Sequence, residues 1–93
     1  MTEMARAHAI ISGRVQGVCY RMETMRAAER IGVSGWVKNR RDGTVEAVFE
    51  GRKEKLEAIL DWCRKGPDLA RVTDVDVRWE DYRDEFKGFL ITR

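Results

Sequence analysis

Residues 13–21 are the part of this sequence whose residue types and spacing are best suited to chemistry. They read GRVQGVCYR, in which Gly13 and Gly17 flank a short stretch that contains the polar residue Gln16. Between a strand and a helix, such a turn lets backbone amides point inward around an anion. Arg21 adds a permanent cation whose planar fork matches two phosphate oxygens. Since a cation at a helix N-terminus is unfavourable without a bound anion, the stretch predicts a phosphate site.

The same stretch also has a purely structural interpretation, because glycine-rich turns between a strand and a helix are common. It is not a Walker loop, since the Gly-Lys-Ser/Thr ending is absent and neither the lysine nor the magnesium-binding hydroxyl is supplied. A nucleoside triphosphatase is therefore not predicted. The residues alone leave a phosphate site and a structural turn both open.

Composition excludes several other kinds of site and partner. The 93 residues include one histidine, His8, and two cysteines, Cys19 and Cys63, without Cys-x-x-Cys spacing, so we expect no zinc site and no disulfide scaffold. The 18 basic and 16 acidic residues leave a net charge of +2, too small to indicate a nucleic-acid or membrane surface. The sequence has no apolar run near the roughly 20 residues of a membrane helix and no recognisable signal peptide, so we expect a cytoplasmic location.

The elements that must position residues 13–21 follow from hydrophobic periodicity and from the glycine and proline positions. Strands are predicted over residues 7–12, 34–39, 44–50 and 72–82, helices over residues 20–31 and 53–64, and a possible fifth strand within residues 86–92. This β, α, β, β, α, β order predicts an α+β fold, the ferredoxin-like split sandwich, with an antiparallel sheet and two helices on one face. We expect one domain, residues 1–93, with a flexible N-terminus over residues 1–5.

Two predicted strands carry expectations about burial. Alternation over residues 44–50 directs Glu46 and Glu50 to the open face of the sheet, and alternation over residues 72–82 directs Trp79 to the core. The fold also serves RNA-binding modules, which stack bases on aromatic residues of the open face. Two carboxylates there would repel phosphates, which weakens the RNA-binding alternative.

Two motifs stand in the chain in a fixed order, GRVQGVCYR at residues 13–21 and GWVKNRRDGTVEAVFEG at residues 35–51. Together, in order and in spacing, they resemble the first and the second signature of the acylphosphatase family. The element order and the closing segment, residues 86–93, are similar as well, so the resemblance covers the whole chain. Tyr20 stands where phenylalanine is usual, and Cys19 occupies a freely varying position, two changes that we expect activity to tolerate.

The resemblance implies hydrolysis of the carboxyl–phosphate bond of a small acyl phosphate, without metal, cofactor or covalent intermediate. The family's phosphate-binding loop and its arginine correspond to residues Gln16, Gly17, Val18, Cys19, Tyr20 and Arg21. The family's water-positioning asparagine corresponds to Asn39. The implied partners are the acyl phosphate and inorganic phosphate, the latter both product and competitive inhibitor, and nothing in the sequence demands more than a monomer. A related domain that has lost catalysis is an alternative, against which the retention of Arg21 and Asn39 argues.

Acyl phosphate chemistry suits a chain with so little acid–base machinery. The leaving group is a carboxylate whose conjugate acid has a pKa of about 4, so it needs no general acid. What remains is to bind the phosphoryl oxygens and to place water in line. Asn39 is uncharged and can orient water without repelling phosphate. The sequence assigns no residue to accept the proton of the water, and the substrate's own phosphate oxygen is an available acceptor.

Overall fold

The alternating and helical patterns of the sequence fold into two helices on one face of a five-stranded sheet. The computed structural model describes residues 3–93. Its elements are β1 (Met4–Arg14), α1 (Tyr20–Ile31), β2 (Ser34–Asn39), β3 (Val45–Arg52), α2 (Lys53–Lys65), β4 (Arg71–Glu80) and β5 (Phe89–Ile91). The predicted ferredoxin-like α+β fold is confirmed, including the short fifth strand. Neither helix of the described part is long and apolar enough to cross a bilayer.

The sheet is mixed, which corrects the prediction of an antiparallel one. The strands lie in the order β4-β1-β3-β2-β5, and every neighbouring pair is antiparallel except β2 and β5. β4 ends at the end of the sheet where β2 begins, because Arg6 lies opposite both Glu80 and Glu50, and Glu50 lies opposite Ser34. A chain that crosses directly from there to the far edge enters β5 in the direction of β2.

The core lies between the sheet and the helices. Ala7, Ala9 and Ile11 of the central strand β1 are fully buried. α2 packs against β1, β3 and β4 through a buried stripe formed by Leu56, Ile59, Leu60 and Cys63. Burial raises the pKa of the Cys63 thiol to about 12, so this cysteine is a core residue without thiolate reactivity.

β1 begins earlier in the chain than predicted. Met4 lies opposite Arg52 and Ala5 opposite Gly51, and the carbonyl of Glu3 accepts a hydrogen bond from the Lys53 N–H at 2.8 Å. The prediction of a flexible N-terminus over residues 1–5 is therefore wrong for positions 3 to 5. Positions 1 and 2 lie outside the described residues.

Trp79 lies on the predicted face of the sheet but is not buried. It is opposite Ala7, so its side chain is on the helix-bearing face, yet 47% of it is exposed. β4 is an edge strand, and the Lys53 ammonium at the start of α2 lies 5.6 Å from the Trp79 ring centroid. At this edge the Lys53 ammonium covers part of the Trp79 ring. Full burial would require apolar side chains of a helix over the ring.

Glu50 is buried on the face of the sheet away from the helices, so the prediction that it is exposed was wrong. Its side chain is 1% exposed and accepts hydrogen bonds from the backbone N–H of Arg83 at 2.8 Å and of Glu85 at 2.9 Å. Arg6 adds a third contact at 3.3 Å. The segment of residues 81–88, on its way from β4 to β5, crosses this part of the outer face and covers the carboxylate.

We expect Glu50 to make the folded protein sensitive to acid. Burial by itself raises the pKa of Glu50, but the N–H groups of Glu85 and Arg83 and the Arg6 guanidinium outweigh burial, so its pKa lies below the ordinary 4.5. The unfolded chain therefore takes up this proton first. The stabilisation is present above pH 4.5 and is lost as the pH falls through the lower pKa of the folded state.

Urea unfolding across this pH range tests the expectation. Glu50→Gln should lower the free energy of unfolding by about 2 kcal/mol at neutral pH and flatten its fall in acid. Glu57→Gln, at an exposed position of α2, is the matched control and should leave both unchanged. An unaltered acid slope in Glu50→Gln would show that other carboxylates carry the effect.

Candidate active site

One end of the sheet brings the two sequence motifs together. β1 and β2 end there, and β3 and β4 begin there, since Val45 lies opposite both Ile11 and Asn39, and Arg14 lies opposite Arg71. The loop of residues 15–19 leaves β1 at this end and leads into α1. Asn39, the last residue of β2, therefore lies beside the glycine-rich loop although the two are far apart along the chain.

A cleft of about 360 Å³ lies between these elements. It is lined by Val15, Gly17, Cys19, Tyr20, Arg21, Met22, Asn39 and Ile91. The lining includes both predicted catalytic residues, Arg21 and Asn39, and, besides Arg21, three of the predicted phosphate-binding residues. Gln16 and Val18 do not line it. The volume is that of a site for a small molecule.

The loop offers free backbone donors to this cleft. Its backbone enters the left-handed region at Gly17 (φ 74°) and at Cys19 (φ 61°). Of the N–H groups of residues 16–22, none donates to an acceptor within residues 3–93, and the first helical hydrogen bond runs from Glu23 N–H to Cys19 O at 3.1 Å. Free N–H groups and the positive end of α1 together suit an anion. The left-handed Cys19 costs about 1–2 kcal/mol, a strain typical of ligand-binding loops.

The guanidinium of Arg21 is the cation of the cleft. Arg21 is half-buried and forms no ion pair within the described residues, whereas Arg6, Arg26 and Arg64 each have a carboxylate partner within 3.0 Å. A half-buried guanidinium without a carboxylate keeps its five donors for a ligand. An anion with several oxygens is the ligand that fits this fork.

Asn39 contributes a buried acceptor that has no donor. Among the described residues, its Oδ1 atom accepts no hydrogen bond although it is shielded from solvent. A buried carbonyl oxygen left in this state costs about 1–3 kcal/mol, so we expect the Asn39 amide, which lines the cleft, to turn Oδ1 towards a donor that arrives with the ligand or the solvent. A water that donates to Oδ1 keeps its lone pairs free to point elsewhere.

Gln16 does not line the cleft, and its side chain connects the loop to the turn after Asn39. Its Nε2 atom donates to the carbonyl oxygens of Arg40 at 2.7 Å and of Thr44 at 2.9 Å. These two carbonyls belong to the connection between β2 and β3. The side chain therefore holds the loop and Asn39 at a fixed separation, a contribution that differs from the predicted phosphate contact.

Tyr20, the first residue of α1, connects the loop to α2. Its hydroxyl donates to the carbonyl oxygen of Cys63 at 2.7 Å, one of the last carbonyls of α2, which have no donor inside the helix. Burial raises the pKa of this phenol well above its ordinary range. Its ring centroid lies 5.6 Å from that of Trp62, so the two aromatic side chains pack together. Tyr20 thus fixes the start of α1 to the end of α2.

The remaining loop residues differ in accessibility. Val18 is buried, and Cys19 is an exposed free thiol. Sequence reasoning missed Val15, Met22 and Ile91 as cleft residues, and only the pairing of β5 with β2 brings Ile91 there. Within residues 3–93 no three His, Cys, Asp or Glu side chains are grouped closely enough to hold a metal ion.

Comparisons of the sequence and of the fold with known proteins all match acylphosphatases over nearly the whole chain. The family model described as acylphosphatase matches residues 7–91. The acylphosphatase of Pelotomaculum thermopropionicum is 54% identical over 87 residues, which are 94% of this chain and 95% of that one. The acylphosphatase of Pyrobaculum aerophilum is 54% identical over 90 residues, 96% and 95% of the two chains. The crystal structure of acylphosphatase from Bacillus subtilis superposes with a TM-score of 0.92 at 32% identity, over 96% of this chain and 99% of that one.

Proposed function

Because the chain belongs to the acylphosphatase family, we propose that it cleaves the carboxyl–phosphate bond of small acyl phosphates with the loop of residues 16–21 and Asn39. The products are a carboxylate and inorganic phosphate. The observation that carries the proposal is that, within residues 3–93, the buried Oδ1 of Asn39 has no donor and Arg21, in the same cleft, has no carboxylate partner.

The loop and Arg21 bind the phosphoryl group in this proposal. The N–H groups of residues 17 and 19–22, which line the cleft and have no acceptor within residues 3–93, donate to its non-bridging oxygens together with the Arg21 guanidinium. These donors are in place before the substrate arrives, because Gln16 and Tyr20 hold the loop against its neighbours. Preorganised donors stabilise the charge that develops on those oxygens during transfer.

Asn39 positions the attacking water. Oδ1 accepts one hydrogen of the water, whose oxygen then bonds to phosphorus while the bond from phosphorus to the acyl oxygen breaks. The electron pair of that bond leaves with the carboxylate, and the other hydrogen of the water passes as a proton to a phosphate oxygen. Water is the nucleophile, so no covalent intermediate forms. Cys19 lines the cleft, and we assign its thiol no part in the reaction.

We also propose how the protein is inhibited, how it assembles and where it is located. Inorganic phosphate presents the same oxygens as the substrate and should inhibit competitively. We propose a monomer because every residue of the proposed site comes from one chain. We propose a cytoplasmic location, because Cys19 and Cys63 are both free thiols, as is usual in that reducing compartment.

Hydrolysis of benzoyl phosphate in a chelator-containing buffer tests the function. We expect metal-independent release of benzoate, competitive inhibition by phosphate, and negligible cleavage of glycerol 3-phosphate, because the proposed site holds no general acid for its alkoxide leaving group. In ¹⁸O-labelled water the label should enter phosphate and not benzoate. Activity that requires an added metal ion, or label in benzoate, would refute the proposed mechanism.

A further inference from the structure

A second groove, of about 500 Å³, continues from the cleft. It is lined by Val18, Cys19, Met22, Glu23, Arg26, Pro67, Asp68 and Leu69. Cys19 and Met22 line both the groove and the cleft, whereas Arg21 and Asn39 line the cleft alone. A molecule whose phosphoryl group occupies the cleft can therefore extend past Cys19 and Met22 into the groove.

The groove exposes large apolar side chains to solvent. Leu69 is 72% exposed and Met22 is 43% exposed. Glu23 and Arg26 neutralise each other through an ion pair at 2.9 Å. Asp68 has no ion-pair partner within residues 3–93, so the groove presents apolar surface with one unbalanced negative charge. An uncharged apolar group fits this surface better than an anion does.

The position of the groove matches the direction in which a leaving group must depart. The loop leaves β1, which lies between β4 and β3, and β2 with Asn39 lies beyond β3. The connection before β4, which includes Leu69, is on the other side of the loop. In phosphoryl transfer the attacking and leaving oxygens lie roughly in line on opposite sides of phosphorus. Water held by Asn39 therefore directs the leaving carboxylate towards Leu69.

We propose that this groove binds the acyl group, and that the protein prefers phosphates of uncharged, apolar carboxylic acids. The inference rests on the proposed function and adds a substrate class to it. Each methylene that enters the groove should raise kcat/KM by about threefold, somewhat less than complete burial would give. A second negative charge on the acyl group should lower kcat/KM through repulsion by Asp68.

A series of acetyl, butyryl and hexanoyl phosphates tests the apolar part of the proposal, because their carboxylates have nearly equal basicity and differ only in chain length. We expect kcat/KM to rise about tenfold from acetyl to butyryl phosphate. Leu69→Ser should reduce this ratio about threefold while leaving acetyl phosphate hydrolysis unchanged. Leu90→Ser is the matched control, since Leu90 is 61% exposed and lines neither the cleft nor the groove.

Succinyl phosphate, compared with butyryl phosphate of equal chain length, tests the charge. Asp68→Asn should raise its relative kcat/KM about twofold to threefold. A flat chain-length series, or equal ratios in wild type, Leu69→Ser and Asp68→Asn, would overturn the acyl groove while leaving the proposed function intact. Absence of hydrolysis for every acyl phosphate would instead refute the proposed function, so the two failures are distinguishable.

Discussion

Arg21→Gln is expected to lower kcat/KM for benzoyl phosphate by at least about 10³-fold, the loss typical of a cation that stabilises a transferring phosphoryl group. Glutamine keeps two hydrogen-bond donors but loses the charge and the planar fork. Because Arg21 has no carboxylate partner within the described residues, its removal leaves no buried charge unpaired, and the fold should remain intact. Inhibition by inorganic phosphate should weaken as well, since the same guanidinium holds the product.

Two controls separate the role of Arg21 from general electrostatics. Arg41→Gln removes an exposed cation from the nearby turn, outside the cleft, and should change kcat/KM less than about twofold at physiological salt. Arg21→Lys keeps the charge without the fork and should recover only part of the loss. Equal activity of wild type and Arg21→Gln on benzoyl phosphate would remove Arg21 from the mechanism.

Asn39→Ala should lower kcat by about 10²- to 10³-fold, the range seen when one preorganised hydrogen-bonding group is removed from an active site. The inhibition constant of inorganic phosphate should change much less, because Asn39 acts on the water and not on the phosphoryl oxygens. Steady-state kinetics with phosphate as inhibitor measures both quantities in one experiment. A parallel loss in kcat and in phosphate affinity would assign Asn39 to phosphate binding.

The aspartate variant provides a sharper comparison at the same position. Asn39→Asp preserves the shape of the side chain and its acceptor but adds a negative charge beside the phosphate. It should therefore weaken phosphate inhibition as well as lower kcat, unlike Asn39→Ala. Urea unfolding should show little loss of stability in Asn39→Ala, because the Oδ1 atom that it deletes has no partner in the described protein.

Local signals were sufficient for the elements that end at glycines or turns. α1 ends at Ile31 as predicted, because Gly32 adopts φ 94° and its N–H caps the helix at Ala28 O. β2 ends at Asn39 as predicted, ahead of the turn that contains Asp42 and Gly43. Such signals depend on neighbouring residues alone, so they can be read without knowledge of the tertiary structure.

Burial of charged residues could not be predicted, because it depends on partners far along the chain. Arg6 is buried between Glu50, Glu80 and Glu85. Because Arg6 is charged, the alternation of polar and apolar residues does not indicate that β1 begins before residue 7. Glu50 is buried by backbone N–H groups that are 33 and 35 residues away. A pattern of polar and apolar letters assigns both residues to the surface.

In the candidate site, too, the residues of local motifs could be predicted, whereas contacts between distant parts of the chain could not. The motifs predict Arg21 and Asn39, and both line the cleft. The side chain of Gln16 reaches carbonyl oxygens 24 and 28 residues away, contacts that no local spacing indicates. Ile91 enters the cleft only because β5 pairs with β2 in parallel, which the predicted antiparallel sheet did not include.

The short β5 also has a consequence for how chains of this protein meet one another. Without β5, the six residues of β2 would form a free edge, whose N–H and C=O groups can pair with a strand of another chain and start aggregation. β5 covers that edge with three residues, too few to serve as a good template in turn. The opposite edge, β4, carries Asp74, Asp76 and Arg78, and charged side chains discourage intermolecular pairing. Both edges of the sheet are thus protected against pairing with the strands of other chains.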